Sequence, residues 1–417
     1  CESAEEPEAL ETVSTEFENL RMVWQWLWAG YPTWESTLHT VQRVSLRSVR
    51  DEENEERIGA LQIFLPMITY FYLRRSRYRE GVAFLTAAIT RLEACGWSSR
   101  QGISTAPDAV ESKSRWFLAQ LTVALADIRF HLSEFSAVVG MIEESLPTLR
   151  VCGKPADEAN ALTILGKAQI RMGRYEEAEE TLQQGLTLYQ TNGKRKESAA
   201  TLNALGILYS NQGHFAKAAT YYEAYLAICR HHGYQRGIAN ALNNLGTNYA
   251  RNGEHERALP FYRETYEMAQ IVGEELMLAV ALSNLGSAAR ALGRFTDAQQ
   301  HYEESLAHCR AMGERRWTAA GLNGLGLTLL DSGDTTAAIP HFREALTIAE
   351  SINSTPDLLD ALAGIALALA VSAGGRRGAA SAKLFPRSLD RADLRQGWLM
   401  PRPCAGTRPV RESSRPG

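Results

Sequence analysis

The chain is poor in the short motifs by which catalytic and metal sites are read. No G-x-x-x-x-G-K-[ST] phosphate loop occurs, because Gly153-Lys154, Gly166-Lys167 and Gly193-Lys194 all lack the first glycine and the hydroxyl residue. No H-E-x-x-H is present either, and His231 and His232 are neighbours, about 100° apart on a helix, so they cannot face one metal together. Cysteine is scarce, with six in 417 residues and no CxxC spacing. Cys229 and Cys309 are therefore read as reduced core residues rather than metal ligands or disulfide partners. No apolar run reaches the ~20 residues that a membrane helix needs, and the acidic start CESAEEPEAL is not a signal peptide. A net charge of −4 argues against a nucleic-acid footprint over most of the surface. These absences lead to the expectation of a cytoplasmic protein that is not an enzyme and carries no cofactor.

What the sequence has is a period. Gly166, Gly206, Gly246, Gly286 and Gly326 stand forty residues apart, each preceded by leucine. A second glycine follows seven residues later in each case, from Gly173 to Gly333, and an alanine five further on, from Ala178 to Ala338. Leu242, Leu245, Gly246 and Tyr249 fall at i, i+3, i+4 and i+7, one face of an α-helix that Gly253 ends. Ala258, Tyr262 and Tyr266 then recur every four residues along a second helix, which Gly273 closes in the manner of a left-handed cap. Gly246 and Ala258 are small so that neighbouring helices can approach, and Leu242, Leu245 and Tyr262 fill the space around them. Such a hairpin cannot bury its apolar face alone, so it stacks on the next.

This grammar resembles the tetratricopeptide repeat, as in ALNALGILYSNQGHFAKAATYY and ALNNLGTNYARNGEHERALPFY. The resemblance implies an all-α, right-handed α-solenoid of stacked hairpins, about seven of them, with a terminal helix. It departs from the usual period of about 34 residues, and long repeats of this kind look like those of kinesin light chains, Pins-type polarity adaptors, Rap-type peptide receptors and the sensor halves of bacterial signal-transduction ATPases. Five regular units occupy 159–358, and two degenerate hairpins, within 62–158, precede them through RRSRYREGVAFLTAAI and HLSEFSAVVGMIEESL. Leu359, Leu362, Ile365 and Leu369 mark a capping helix over 359–373.

The two ends differ in kind. Residues 1–61 are read as a helical, linker-like segment in which EFENLRMVWQWLW resembles the stretch joining the nucleotide-binding ATPase to the repeats in bacterial regulators of the SARP and LuxR-associated STAND class. The resemblance implies an ATPase domain upstream of Cys1, so that Cys1 is a fragment edge; a lipoprotein end is the other reading. Trp24, Trp26, Trp28 and Trp34 either cover the start of the array or form a ligand-binding cluster. From Gly374 to Gly417, five prolines and ten basic residues meet three acidic ones, so 374–417 is read as a disordered tail, with linker, acidic-partner, nucleic-acid and out-of-frame readings left open.

First helices line the concave side of stacked hairpins, and the residues beside the buried Leu-Gly stripe face that side. The period assigns Asn160, Thr163, Lys167 and Arg171 to this face, then Asn203 and Asn211, then Asn240, Asn243, Asn244, Thr247 and Arg251, then Ser283, Asn284, Ser287 and Arg290, and Asn323 in the fifth unit. An asparagine amide both donates and accepts, so a row of them can satisfy the N–H and C=O groups of an extended peptide without reading its side chains. Each asparagine can equally be solvated, or bond the neighbouring helix and fix the stacking. In related repeat families asparagines matching Asn243, Asn244 and Asn284 bind peptide backbone, and the resemblance implies the same here. Arg171, Arg251 and Arg290 favour an acidic or carboxylate-bearing ligand. The expected partner is thus a protein or extended peptide, and the expected role a scaffold or sensor in signalling or transcriptional regulation. A free-standing adaptor or peptide receptor is the alternative.

Overall fold

In the computed structural model, residues 62, 65–73, 76–94 and 109–382 are described. The expectations for the segment 1–61, for its tryptophans and for the tail beyond 382 fall outside them. Fifteen helices lie among the described residues: α1 (65–73), α2 (Tyr78–Ala94), α3 (Ala109–His131), α4 (Phe135–Cys152), α5 (Pro155–Met172), α6 (Tyr175–Thr191), α7 (Ala199–Asn211), α8 (Phe215–His232), α9 (Gln235–Arg251), α10 (His255–Val272), α11 (Glu275–Ala291), α12 (Phe295–Ala311), α13 (Arg315–Ser332), α14 (Thr335–Ser351) and α15 (Thr355–Ala382). They pair into seven hairpins and a final helix, an all-α solenoid with no strand among the described residues.

The forty-residue period is two twenties. Gly173, Gly193, Gly213, Gly233, Gly253, Gly273, Gly293, Gly313 and Gly333 all have positive φ, so each helix from α5 to α13, first or second, ends on the same left-handed cap. At the end of α5, for example, the Gly173 N–H donates to the Ile170 carbonyl at 3.1 Å and the Arg174 N–H to the Gln169 carbonyl at 2.9 Å, the two bonds of a Schellman motif. The extra length relative to a 34-residue unit therefore sits in the helices, mostly 17 or 18 residues long with two- or three-residue turns. The exception is α7, 13 residues long, where the turn before it is extended.

The turn inside each degenerate hairpin keeps this cap without its glycine, whereas α4 ends on Gly153 in an extended conformation (φ −87°). Ser76 (φ 52°) and Ser133 (φ 63°) take the left-handed position, and the Arg77 N–H to Tyr72 carbonyl and Glu134 N–H to Arg129 carbonyl bonds, at 3.1 and 3.2 Å, close the same turn.

Close approach explains the Leu-Gly glycines. A Cβ on Gly206 would sit 2.5 Å from the Tyr222 ring, and one on Gly326 would sit 2.7 Å from Phe342. Gly166, Gly246 and Gly286 meet Leu182, Tyr262 and Tyr302 in the same way, always the residue sixteen further on. Each second helix thus drives one large, fully or nearly fully buried side chain against the backbone of its own first helix. Each helix packs on its neighbours in the chain, and the backbones of successive first helices (α3, α5, α7, α9, α11, α13, α15) also come close to one another, whereas second helices meet through long side chains, as in Lys217–Glu179, Arg230–Glu264 and Arg310–Glu344. The first helices are therefore the tighter, inner layer.

The last helix departs from expectation. It runs to Ala382, nine residues beyond the boundary at 373, because the end of the hydrophobic period does not end a backbone hydrogen-bond ladder and proline does not come until Pro386. Its stretch Thr355–Ser372, of mean hydropathy 1.5, is also long and apolar enough to cross a membrane by length and composition.

Candidate functional site

The inner layer brings four of the asparagines together in pairs. Asn244 Nδ2 on α9 donates to Asn203 Oδ1 on α7 at 2.8 Å, and Asn284 Nδ2 on α11 donates to Asn243 Oδ1 on α9 at 2.8 Å. All four are partly exposed. Each pair consumes one N–H on one amide and one acceptor site on the other, leaving both with further donor and acceptor capacity. The ladder is thus an array of amides already oriented by one another, and it joins the unit-stacking reading of these residues to the ligand-facing one.

The arginines behave differently from one another. Arg251 Nη1 donates to Ser210 Oγ at 2.8 Å and to Asn211 Oδ1 at 3.4 Å, and its guanidinium lies 5.7 Å from the Phe215 ring centre. Arg290 Nη1 pairs with Asp331 Oδ2 at 2.8 Å, so its charge is already answered within the array. Arg171 stacks 5.5 Å from the Phe135 ring centre and has no ion pair among the described residues. Arg171 is exposed, yet desolvation by the surrounding array, and secondarily the like charge of Arg316, hold its pKa below the ordinary arginine value. Arg316 itself has a 4.0 Å approach to the buried Asp357.

Other predicted residues stand at varied depths. Asn160 is exposed; Lys167, Asn211, Asn240, Thr247 and Ser287 are partly exposed, and Thr247 Oγ1 lies 3.4 Å from the Tyr262 hydroxyl. Three positions do not reach the open face. Thr163, 2% exposed, donates to the Ala159 carbonyl at 2.8 Å and lies 2.7 Å from Thr201 Oγ1. Ser283 is 7% exposed, its side chain shorter than the asparagines at the equivalent places. Asn323 is 1% exposed because α15 packs over it, and its amide donates to the Asp357 carbonyl at 3.3 Å.

One polar residue was missed. Asn248, 1% exposed, donates from Nδ2 to the Phe215 carbonyl at 2.9 Å and so ties α9 to α8. Its signal in the sequence is asparagine where Leu208 and Ala288 stand in the neighbouring units. Among the described residues no three His, Cys, Asp or Glu side chains are grouped as metal ligands.

The tetratricopeptide repeat family model matches residues 157–231, 198–271 and 277–351. These stretches are tetratricopeptide repeats. A comparison with curated protein sequences returns no match. Among solved structures, a Signal Transduction ATPase with Numerous Domains (STAND) protein with a tetratricopeptide repeat sensor, from Pyrococcus horikoshii, superposes with a TM-score of 0.56 at 15% identity, over 82% of this chain and 53% of that one. Aspartyl phosphate phosphatase F from Bacillus subtilis gives a TM-score of 0.55 at 13% identity, over 86% of this chain and 96% of its own. The apo form of RapI gives 0.50 at 15% identity over 68% and 98%. At these identities the likeness is one of fold, an all-α repeat solenoid of the kind that serves as a protein-interaction scaffold.

Proposed function

We propose that the inner layer of this solenoid binds an extended peptide segment of a partner protein, and that the array is the sensor or scaffold region of a cytoplasmic signalling or transcriptional regulator. The observation that carries this reading is the pair of amide bonds Asn203–Asn244 and Asn243–Asn284, which leaves a partly exposed row of donors and acceptors on the face built by the first helices. A peptide backbone needs such groups in alternation, and amides held by one another lose little freedom when they bind it. Arg171 and Arg316 add a positive field at the two ends of the regular array, which favours a carboxylate-bearing segment. The array acts by binding and not by catalysis.

The likeness to the STAND protein, of which the chain spans about half, supports a reading with an ATPase upstream. The match to nearly the whole of the phosphatase, at 96%, supports the alternative of a free-standing adaptor or receptor. The reading frame upstream of Cys1 separates the two.

Panning the folded chain against a library of displayed linear peptides tests the groove. The expected result is enrichment of acidic peptides, lost in Asn243→Ala/Asn284→Ala with the melting temperature little changed. Enrichment that survives this double substitution removes the ladder from the account.

A further inference from the structure

The final helix stands in the register of a first helix but has no second helix folded onto it. α15 begins forty residues after α13, so Leu359 and Leu362 occupy the places of Ala319 and Leu322, both 0% exposed. Ala366 likewise stands where Gly326 receives the Phe342 ring of α14. In α13 that face is closed by α14; in α15 it is open, with Leu359 at 36%, Leu362 at 44% and Leu369 at 55% exposure. The opposite face is committed to the array: Ala361 and Ala368 are fully buried, and Gly364 lies against Phe342. A terminal repeat keeps a solenoid soluble by turning a polar face outward. This one turns out Leu359, Leu362, Ala363, Ala366, Leu369 and Ala370, without a charge among them.

The pattern of sizes on that face is self-complementary. Reversing the helix about Ala366 sets Leu362 opposite Ala370 and Leu369 opposite Ala363, so each large side chain meets a small one, as close helix packing requires. The same reversal sets the two helix dipoles antiparallel. We propose that α15 pairs, antiparallel and about a two-fold axis near Ala366, with α15 of a second copy of this chain. The contact is isologous and closed, and it continues the helix-on-helix stacking that the repeats already use.

Sedimentation velocity of the full chain tests this. The expected result is a dimer that dissociates on dilution, with Leu362→Glu/Leu369→Glu weakening association roughly tenfold or more at an unchanged melting temperature, since both side chains are exposed in the single chain. As a second readout, the Ala366→Cys variant is expected to form an interchain disulfide joining the two copies at that same position under mild oxidation. A monomer at all concentrations overturns the proposal, as does a dimer indifferent to the two glutamates. So does cross-linking of the new thiol to residues 383–417 of its own chain, which makes the tail the occupant, or vesicle flotation that the glutamates abolish, which makes it a lipid surface.

Discussion

The Trp116 indole on α3 donates to Asp157 Oδ2 on α5 at 2.8 Å, forty-one residues along the chain. The same step joins Asn203 to Asn244, Asn243 to Asn284, Ser210 to Arg251 and Arg290 to Asp331. The sequence repeats every forty residues, and these five inner-layer bonds span forty-one, each joining a place on one first helix to the place one residue further along on the next. The Trp116–Asp157 bond places the degenerate hairpin α3–α4 in the same stack as the regular units. Trp116→Phe keeps the ring packing and removes the donor, and is expected to cost about 1 kcal/mol. Denaturant unfolding reads the loss, and faster hydrogen exchange in the first turns of α5 locates it.

A double-mutant cycle on Asn203 and Asn244 isolates the contribution of one amide pair to stacking. Each single change to alanine leaves the other amide partly exposed and able to turn to water, so the expected coupling energy is about 0.5–1 kcal/mol, with the double variant close to either single one. A coupling of zero in urea unfolding means that the pair adds nothing to unit stacking.

Gly206→Ala and Gly286→Ala are expected to destabilise unequally. The added methyl meets the Tyr222 ring at 2.5 Å in the first case and the Tyr302 ring at 3.0 Å in the second. Overpacking of this kind costs about 1–3 kcal/mol, so Gly206→Ala lies at the upper end and Gly286→Ala at the lower. Thermal unfolding of the two variants, side by side, gives the order.

Ser133→Gly is expected to stabilise. A non-glycine residue in the left-handed region costs roughly 1–2 kcal/mol, Ser133 holds a φ of 63°, and its side chain is exposed. The gain, partly offset by the greater freedom of glycine in the unfolded chain, appears as a higher denaturant midpoint with unchanged slope.

His301 and His341 make the array sensitive to mild acid. Burial lowers the pKa of each below 6.5, outweighing the nearby carboxylates Glu304 and Asp297 at His301 and Glu344 and Glu303 at His341. The unfolded chain binds protons at these two positions more readily than the native one, so their contribution to stability is intact above 6.5 and falls as pH drops below it. Tyr221 and Phe261 stand at the equivalent places in the two units before. His301→Phe/His341→Phe is therefore expected to flatten the dependence of the melting temperature on pH below 6.5.

The period, the helix pairing and the glycine contacts were legible because each rests on residues that recur: Leu-Gly, the second glycine, and the bulky residue sixteen further on. The asparagines were legible as a face but not as pairs, since the one-residue offset comes from how the units twist on one another, which no single unit encodes. Asn323 was misread for a related reason. It has the register of Asn243, but α15 covers it, and the exposure of a position on one unit is set by the helix that packs next in the stack. The cap at Ser133 was hidden because serine seldom adopts positive φ, so nothing in its identity announces a glycine's role.

The offset between the two periods has a consequence for whatever occupies the inner layer. One residue is about 1.5 Å of rise and about 100° of turn, so each bond runs obliquely from one first helix to the next. The step starts afresh in every unit, from the place of Asn203 to that of Asn244 and again from the place of Asn243 to that of Asn284. An occupant that follows the inner layer therefore meets the same slanted amide pair at each unit, and its length is set by how many such pairs it spans.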